Sequence, residues 1–261
     1  MNRPGWLIAV AYVLVCGTTL LTAQMQTIAA GDFAYTGDKG PGFWGEISPV
    51  CAPTSSSRQS PVDIDRVVPD LRLRPLRVIS AASVTELTNP GYTIVGTPTS
   101  QPTTTIGGVT YTLVQFHFHT LSEHTVLGQH GVMELHAVFA DPTGTQLAVI
   151  GVIYKLGRPN RFLQRLLGNG LPQKTSSPAV IVEGLNLDDA FTDTSTYFNY
   201  PGSLTTPPCS ENVNWFVLQK WAELSEGQYE EFRKVLGNDF RPSQKKNGRT
   251  VHASVEHASW P

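Results

Sequence analysis

The 261-residue chain has no excess of either charge, because 19 Lys and Arg stand against 21 Asp and Glu for a formal net charge of −2. Proteins that bind nucleic acid concentrate Lys and Arg on one face, so this balance argues against a nucleic-acid partner. The content of 19 Pro and 23 Gly disfavours long helices. No internal repeat or linker divides the chain after its N-terminal segment. We therefore predict a single strand-rich domain over residues 31–261.

Long apolar runs are also lacking, except for one at the N-terminus. Residues 6–16 are apolar without interruption, follow a positively charged start and precede small and polar residues. This pattern predicts a signal peptide over residues 1–23, with cleavage after Ala23 or as late as Ala30. A cleaved signal implies a secreted protein, periplasmic in a bacterium, that has no membrane contact after processing. The alternative is an uncleaved membrane anchor, because the uncharged stretch around the run is long enough to cross a bilayer.

Cysteine is scarce, with three in the chain. Cys16 falls within the predicted signal peptide, which leaves Cys51 and Cys209 in a chain that is sent to an oxidising compartment. We expect these two to form a disulfide bond, and two buried free thiols are the alternative.

Short segments rich in β-branched and aromatic residues recur between Gly- and Pro-containing turns, which is the pattern of strands. Two segments predict helices instead. The first is 160–167, and the second follows Ser225, where Ser225 and Gln228 have capping-box spacing and Gly237 marks the end. The expected fold class is mainly β with minor α. The predicted strands are 76–80, 93–95, 109–119, 132–139, 147–154, 180–182 and 214–218.

Histidine alternates with phenylalanine in the segment VQFHFHTLSEHTV. Alternate residues of a strand share a face, so Gln115, His117 and His119 lie together. The segment VMELHAVF likewise carries Glu134 and His136 on one face, and antiparallel pairing would bring His136 opposite the histidine pair. Three neutral imidazoles with an open fourth position form a catalytic zinc site, in which a bound water has a pKa of about 7. Gln115 and Glu134 are placed to accept the free ring N–H groups.

A second metal pattern overlaps the first. His117, His119 and Glu123 form a His-x-His-x3-Glu run that resembles the first motif of the cupins, where the glutamate joins the histidines around iron or manganese. On this alternative the protein would be a cupin-type metalloenzyme or a binding module. The chain is, however, too long for a single cupin barrel.

Six segments in order along the chain resemble the α-class carbonic anhydrases. The resemblance implies a large twisted, mostly antiparallel sheet of about ten strands with short peripheral helices. It also implies one Zn²⁺ per chain, reversible hydration of carbon dioxide to bicarbonate and a proton by zinc-bound hydroxide, and inhibition by sulfonamides and anions. The oligomeric state stays open. The segments are FAYTGDKGPGFWG, RQSPVDI, QFHFHTLSEHTV, MELHAV, YPGSLTTPPCSENVNWFVL and FRPSQKKNGR.

Carried over residue by residue, the resemblance assigns the zinc ion to His117, His119 and His136. It implies that the Thr205 hydroxyl accepts a hydrogen bond from the zinc-bound hydroxide and donates one to Glu123, which then binds no metal. A catalytically dead binding module is the remaining alternative, and the intact histidine triad argues against it. Further implied site residues are Thr206 for substrate, Val138, Val149, Leu204, Val213 and Trp215 for an apolar wall, and Gln115, Glu134, Tyr35 and Asn89 around the site.

The chain departs from this family at the proton relay. Tyr92 occupies the position at which the fastest relatives have a histidine that titrates near neutral pH. A tyrosine with a pKa of about 10 is mismatched to this task at pH 7. We therefore expect turnover to be limited by proton transfer and to be rescued by small buffers. The resemblance also suggests cis peptide bonds before Pro61 and Pro208.

Overall fold

The computed structural model describes residues 33–174 and 178–255. The predicted signal peptide, with Cys16 and both candidate cleavage positions, lies outside these residues. Within the described ranges, no helix has both the length and the apolar character needed to cross a membrane.

The described residues form sixteen strands and three short α-helices. The helices are α1 (Trp44–Ile47), α2 (Arg161–Leu167) and α3 (Glu226–Leu236), and four 3-10 turns cover Gly37–Lys39, Pro41–Phe43, Pro49–Cys51 and Leu187–Ala190. The strands are β1 (Asp63–Ile64), β2 (Val67–Pro69), β3 (Val78–Ile79), β4 (Ser83–Thr88), β5 (Val95–Pro98), β6 (Thr103–Ile106), β7 (Val109–His119), β8 (Thr125–Val126), β9 (Gln129–His130), β10 (Met133–Ala140), β11 (Leu147–Leu156), β12 (Val180–Leu185), β13 (Tyr197–Gly202), β14 (Val213–Leu218), β15 (Ala222–Leu224) and β16 (Val251–Ala253).

One sheet of 13 strands dominates the fold. Its main path runs β12-β4-β5-β7-β10-β11-β14-β13-β16-β2, and the short strands β3, β6 and β15 attach beside this path. The pairings of β11 with β14 and β15 and of β16 with β2 are parallel, and the others are antiparallel. The predicted mainly β, mostly antiparallel fold is therefore confirmed. Strands β1, β8 and β9 form a separate small sheet.

The two faces of the sheet carry different side chains. On one face Phe116 contacts Phe162 of α2 at a ring-centroid distance of 5.6 Å, and Phe118 contacts Phe232 of α3 at 4.8 Å. All four rings are fully buried, so the two helices cover this face. A Cβ atom on Gly96 would lie 2.1 Å from the Phe116 ring, so only glycine fits there. The intervening histidines of β7 consequently face the other side, away from the helices.

The helix termini follow the predicted capping chemistry. The Asn160 side chain accepts a hydrogen bond from the Leu163 N–H at 3.1 Å and caps α2, which begins one residue after the predicted start. Both hydrogen bonds of the Ser225 and Gln228 capping box are present at α3. Gly237 ends that helix with φ of 71°, a backbone conformation that glycine adopts at low cost.

Strands that alternate cleanly were predicted best. Strand β7 has the predicted bounds 109–119, and β10 differs by one residue at each end. Thr93 was predicted to begin a strand, but its hydroxyl donates to the Phe118 carbonyl at 2.6 Å and the strand begins two residues later. Nine of the described strands were not predicted, because they are only two to four residues long or contain Ser, Thr, Gly or Pro and so give weak strand patterns. They are β1, β2, β4, β6, β8, β9, β13, β15 and β16.

A predicted crosslink joins the 3-10 turn Pro49–Cys51 to the loop after β13. Cys51 and Cys209 form a disulfide bond across 158 positions of sequence, which confirms the predicted pairing. The cis peptide bonds before Pro61 and Pro208 are also confirmed. A third cis bond, between Thr120 and Leu121, was not predicted.

Candidate metal centre and its pocket

Three imidazole rings converge where β7 and β10 pair. The antiparallel register sets His136 directly opposite His117, and His119 opposite Glu134. Ring centroids of the three histidines lie 4.8–5.1 Å apart. One ring nitrogen from each histidine lies within 4.8 Å of the other two. The pairing predicted from alternation therefore brings the three predicted ligands together.

The outward nitrogens of two histidines are held by the residues that precede each of them by two positions. His117 Nδ1 donates to Gln115 Oε1 at 2.9 Å. His136 Nε2 lies 3.0 Å from Glu134 Oε1. The hydrogen bond to Gln115 fixes the orientation and tautomer of the His117 ring, and the carboxylate of Glu134 attracts an N–H on His136 Nε2. In both rings the other nitrogen is then a lone-pair donor directed at the cluster.

The third histidine has a partner that sequence reasoning missed. His119 Nδ1 donates to the backbone carbonyl of Asp239 at 2.7 Å. The Asp239 carboxylate in turn accepts from the Thr120 N–H at 2.6 Å. A backbone acceptor 120 positions away leaves no trace in residue identity, so no pattern in the sequence could have revealed this contact.

The donor set fits a zinc ion. Burial lowers the pKa of all three histidines, that of His119 to about 4, so the rings are neutral at pH 7. His119 Nε2 is buried and has no hydrogen-bond partner among residues 33–174 and 178–255. Neutral imidazoles with inward lone pairs and restrained outer nitrogens are the ligand arrangement of three-histidine zinc sites.

Behind the cluster, Glu134 organises a fully buried polar network. Its carboxylate accepts from the Glu123 and His124 N–H groups, both at 2.8 Å, and lies 2.7 Å from His124 Nδ1. His124 Nε2 lies 2.6 Å from the Tyr200 hydroxyl. Burial acts to raise the pKa of Glu134, but His124 and His136 bring it well below its usual range. A charged carboxylate therefore restrains the His136 ring.

Glu123 is buried beside the cluster without joining it. Its Oε1 accepts from the Arg241 N–H at 2.8 Å, and its Oε2 lies 3.5 Å from His119 Nε2. Burial raises the pKa of Glu123 to about 7, whereas His136 and the nearby Thr205 hydroxyl act in the opposite direction. Glu123 Oε2 is buried and has no hydrogen-bond partner within the described residues. The converging metal-ligand nitrogens belong to His117, His119 and His136, and Glu123 is not in that group.

The loop that carries Thr205 is fixed mainly by contacts from other segments. Within the loop, the Leu204 N–H donates to the Ser210 carbonyl at 3.0 Å, and the Cys209 N–H to the Thr206 carbonyl at 2.9 Å. From outside, the Ser48 hydroxyl donates to the Pro208 carbonyl at 3.1 Å. The disulfide bond to Cys51 adds a covalent tether.

The three histidines line a pocket that opens to solvent. Most of the predicted substrate residues line it, whereas Val213 is buried in the wall behind. Among the lining residues, Phe33, Thr93, Val95, Pro207 and Pro208 had no predicted role. The predicted substrate residues that line the pocket are Val138, Val149, Leu204, Thr205, Thr206 and Trp215.

The predicted relay position, Tyr92, and two residues predicted around the site, Asn89 and Tyr35, lie in different places. Tyr92 lines the pocket, with its ring 5.0 Å from that of Phe33, and burial raises the pKa of its hydroxyl. Asn89 does not line the pocket: its side chain donates to the Pro172 carbonyl at 3.1 Å and accepts from the Gly91 N–H at 2.8 Å. Tyr35 makes an edge contact with the His119 ring, with 6.5 Å between the ring centroids, and burial raises the pKa of its hydroxyl well above the usual value.

Comparison with known proteins gives concordant results. Residues 39–255 match the family of eukaryotic-type carbonic anhydrases. The carbonic anhydrase of Klebsiella pneumoniae is 35% identical over 235 residues, which are 88% of this chain and 94% of that protein. Among solved structures, the Photobacterium profundum alpha-carbonic anhydrase has a TM-score of 0.79 and 39% identity, covering 84% of this chain and 99% of that one. The Thermovibrio ammonificans alpha-carbonic anhydrase, solved with the inhibitor sulfanilamide, has a TM-score of 0.78 and 35% identity, covering 84% and 98%. The cupin interpretation of the histidine and glutamate run is therefore wrong.

Proposed function

The chain belongs to the eukaryotic-type carbonic anhydrase family, and we propose that it catalyses the reversible hydration of carbon dioxide to bicarbonate and a proton with one Zn²⁺ held by His117, His119 and His136. The observation that carries this proposal is the convergence of three neutral, restrained imidazoles at a pocket that also contains Thr205 and an apolar wall. A zinc ion in such a site acidifies a water molecule to a pKa of about 7 and so supplies a nucleophile at neutral pH.

The direction of the hydrogen bonds gives Thr205 its role. An ionised Glu123 can only accept, and its Oε1 is already engaged by the Arg241 N–H. We propose that the Thr205 hydroxyl gives its single proton to the remaining carboxylate oxygen, Oε2, which is buried without a partner within the described residues. The lone pairs of the hydroxyl oxygen then face the pocket. By accepting a hydrogen bond in the pocket, the Thr205 hydroxyl orients the attacking oxygen so that one of its lone pairs is directed at the substrate carbon. Thr206 lines the pocket next to it and is placed to contact substrate or bicarbonate.

The substrate side of the pocket is apolar. Val138, Val149, Leu204 and Trp215 line it and belong to one buried apolar cluster or pack against it. Carbon dioxide carries no charge and gains from contact with such a wall, whereas the bicarbonate product is charged and is better solvated by water. The wall thus favours binding of the substrate over retention of the product.

The pocket offers no good route for the released proton. Apart from the three histidines, the only titratable side chain in its described lining is that of Tyr92, whose pKa burial raises above an already high value. We propose that protons leave the pocket with small diffusible buffers, and that this step limits turnover in weakly buffered solution.

The oxidised Cys51–Cys209 pair agrees with folding in an oxidising compartment. We propose that residues 1–23 are a cleaved signal peptide and that the protein is secreted or periplasmic. N-terminal sequencing of the exported protein tests this, and a product that begins at Met1 would contradict it.

The decisive experiment is metal analysis of the purified protein combined with a carbon dioxide hydration assay, with and without an aromatic sulfonamide. We expect one zinc per chain and hydration that the sulfonamide inhibits, as the inhibitor complex of the Thermovibrio ammonificans relative suggests. A His119→Ala variant serves as the control, because it removes a ligand and should lose both zinc and activity. Iron or manganese in place of zinc, or zinc without hydration, would contradict the proposal.

A further inference from the structure

Arg241 is one of the largest fully buried side chains, with 1% of its surface exposed. Its Nη1 donates to Gln59 Oε1 at 2.9 Å and to the Ser60 carbonyl at 2.8 Å, and its Nη2 donates to the Cys51 carbonyl at 3.1 Å. The guanidinium lies 5.5 Å from the centre of the Trp44 ring. One side chain thus joins the segment around residue 241 to residues 44–60, which lie more than 180 positions earlier in the sequence.

The backbone of the same residue reaches the metal centre. The Arg241 N–H holds Glu123 Oε1 at 2.8 Å, and two residues earlier the Asp239 carbonyl accepts from His119 Nδ1 at 2.7 Å. Residues 239–241 belong to no helix or strand, so no ladder of backbone hydrogen bonds fixes their position. Asp239 is held by Thr120, whose carbonyl accepts from the Asp239 N–H at 3.0 Å and whose own N–H donates to the Asp239 carboxylate at 2.6 Å. The guanidinium contacts of Arg241 add an anchor at the other end of the segment, to residues 51–60.

A second branch leads from the guanidinium to the loop of Thr205. Gln59, whose Oε1 accepts from Arg241, uses its Nε2 to donate to the Cys209 carbonyl at 3.1 Å and to Glu211 Oε1 at 2.9 Å. Gln59 is 1% exposed and its bond to the Cys209 carbonyl is buried, so water does not compete for that bond. The two groups that must meet for the reaction, the Glu123 carboxylate and the Thr205 hydroxyl, are therefore tied to a common point.

The charge of this guanidinium is not used in an ion pair. Within the described part of the chain, no carboxylate oxygen lies within 4.0 Å of it, and its partners are carbonyl and amide oxygens. Burying a cation without a counterion costs free energy that apolar packing would avoid. Charge-assisted donors at fixed angles, in contrast, hold their acceptors in a defined geometry.

We propose that Arg241 is a positioning residue for the hydration reaction: its guanidinium holds segment 239–241 against Glu123 and His119 and, through Gln59, aligns the Thr205 loop with the same carboxylate. This inference rests on the proposed function, since the geometry that it protects is that of the Thr205 and Glu123 pair.

The test compares Arg241→Gln and Arg241→Lys with a matched control, Arg249→Gln. Arg249 is partly buried, donates to backbone carbonyls that include that of Gln59, and lies over the Tyr200 ring. It has no hydrogen bond to Glu123, to the Gln59 side chain or to residues 203–212 of the Thr205 loop, so its loss should leave the proposed links in place. Each variant is measured as fully folded, zinc-loaded protein, with active sites counted by titration with a tight-binding sulfonamide. We expect kcat per site to fall by about 10- to 100-fold in Arg241→Gln, less in Arg241→Lys, and less than twofold in Arg249→Gln, with KM little changed in all three.

A second measurement does not depend on activity. In metal-free protein, the backbone amides of residues 239–241 should exchange hydrogen at least tenfold faster in Arg241→Gln than in the wild type. Their exchange rates should be unchanged in Arg249→Gln. If Arg241→Gln does not fold, Gln59→Met removes the branch to the loop alone, and we expect it to lower kcat by several-fold. Wild-type kcat per site in a folded Arg241→Gln or Gln59→Met would overturn the inference. Absence of hydration in the zinc-loaded wild type would instead refute the proposed function.

Discussion

The two halves of the candidate site are held by different means. The metal-ligand half lies on β7 and β10, where paired backbone groups fix His117, His119 and His136. The Thr205 half lies on a loop with few backbone hydrogen bonds of its own, held by a disulfide bond and by the side chains of Ser48 and Gln59. Ligand geometry therefore depends on the sheet, and alignment of the Thr205 hydroxyl depends on side chains far away in sequence.

This difference predicts how each half fails. A strand within a 13-stranded sheet cannot move a single residue without disturbing its neighbours on both sides. A loop tethered at a few points can lose one tether and shift while the sheet stays intact. Damage to the loop should thus reduce activity in proteins that still bind zinc, and damage to the sheet should reduce zinc affinity itself.

The largest effect is expected from removal of the disulfide bond. In the chain-entropy description, a crosslink that closes 158 positions of sequence stabilises the folded protein by about 4 to 5 kcal/mol. The Cys51→Ala, Cys209→Ala double variant should lose about this much free energy of unfolding in urea titrations of metal-free protein, yet bind one zinc when folded. Reductant should affect the wild type and leave the double variant unchanged. If the double variant is as stable as the wild type, the disulfide bond is not one of the contacts that hold the Thr205 loop, and this part of the comparison is contradicted.

Next in size is the effect of Thr205→Val, which keeps the shape of the side chain and removes the hydroxyl. The attacking oxygen then loses its acceptor, and Glu123 loses its donor. We expect kcat/KM for hydration to fall by about 100-fold, with zinc content unchanged. Thr206→Val, one residue further along the same loop, is the matched control and should cause a much smaller loss. Equal losses in the two variants would refute the special role of Thr205.

Sequence reasoning succeeded where side chains of one type recur at the regular spacing of a strand. The alternation of histidine and phenylalanine in β7, and of Glu134 and His136 in β10, predicted both the sheet and the convergence of the three rings, because side chains of a strand alternate between its faces. The capping box of α3 and the disulfide bond were predicted for similar reasons: local chemistry and a small number of partners restrict the choices.

Contacts made by backbone groups, or between distant buried side chains, were not predictable. The Asp239 carbonyl that orients His119 is an atom that every residue possesses. Arg241 occurs in a segment that resembles the family, but its four buried partners, Trp44, Cys51, Gln59 and Ser60, lie 181 to 197 positions away. Phe33 and Val95 entered the pocket lining through packing that residue identity alone does not specify.

Gly151→Ala tests the sheet half without touching a ligand. Gly151 is paired with His136 across β10 and β11, and a Cβ atom there would lie 2.9 Å from Glu134 Oε1. The carboxylate must shift away and restrains the His136 ring less well. We expect zinc affinity to fall about tenfold, measured by competition with a chelator, while kcat of the zinc-saturated enzyme changes little. Gly227→Ala, where the added Cβ meets no atom within 4 Å, is the control. Unchanged zinc affinity in Gly151→Ala would contradict the rigidity that we assign to the sheet.

The smallest effect, and the only gain, is expected from Tyr92→His at the pocket rim. The tyrosine hydroxyl stays protonated at neutral pH because burial raises its pKa further, whereas an imidazole with a pKa of about 6.5 can both accept and release a proton there. Turnover in weak buffer should therefore rise several-fold in Tyr92→His and not in Tyr92→Phe. In concentrated imidazole buffer the three proteins should converge, since the buffer then carries the proton in each of them. The proposal is contradicted if stopped-flow turnover does not depend on buffer concentration and does not change with this substitution. Another group would then already relay the proton.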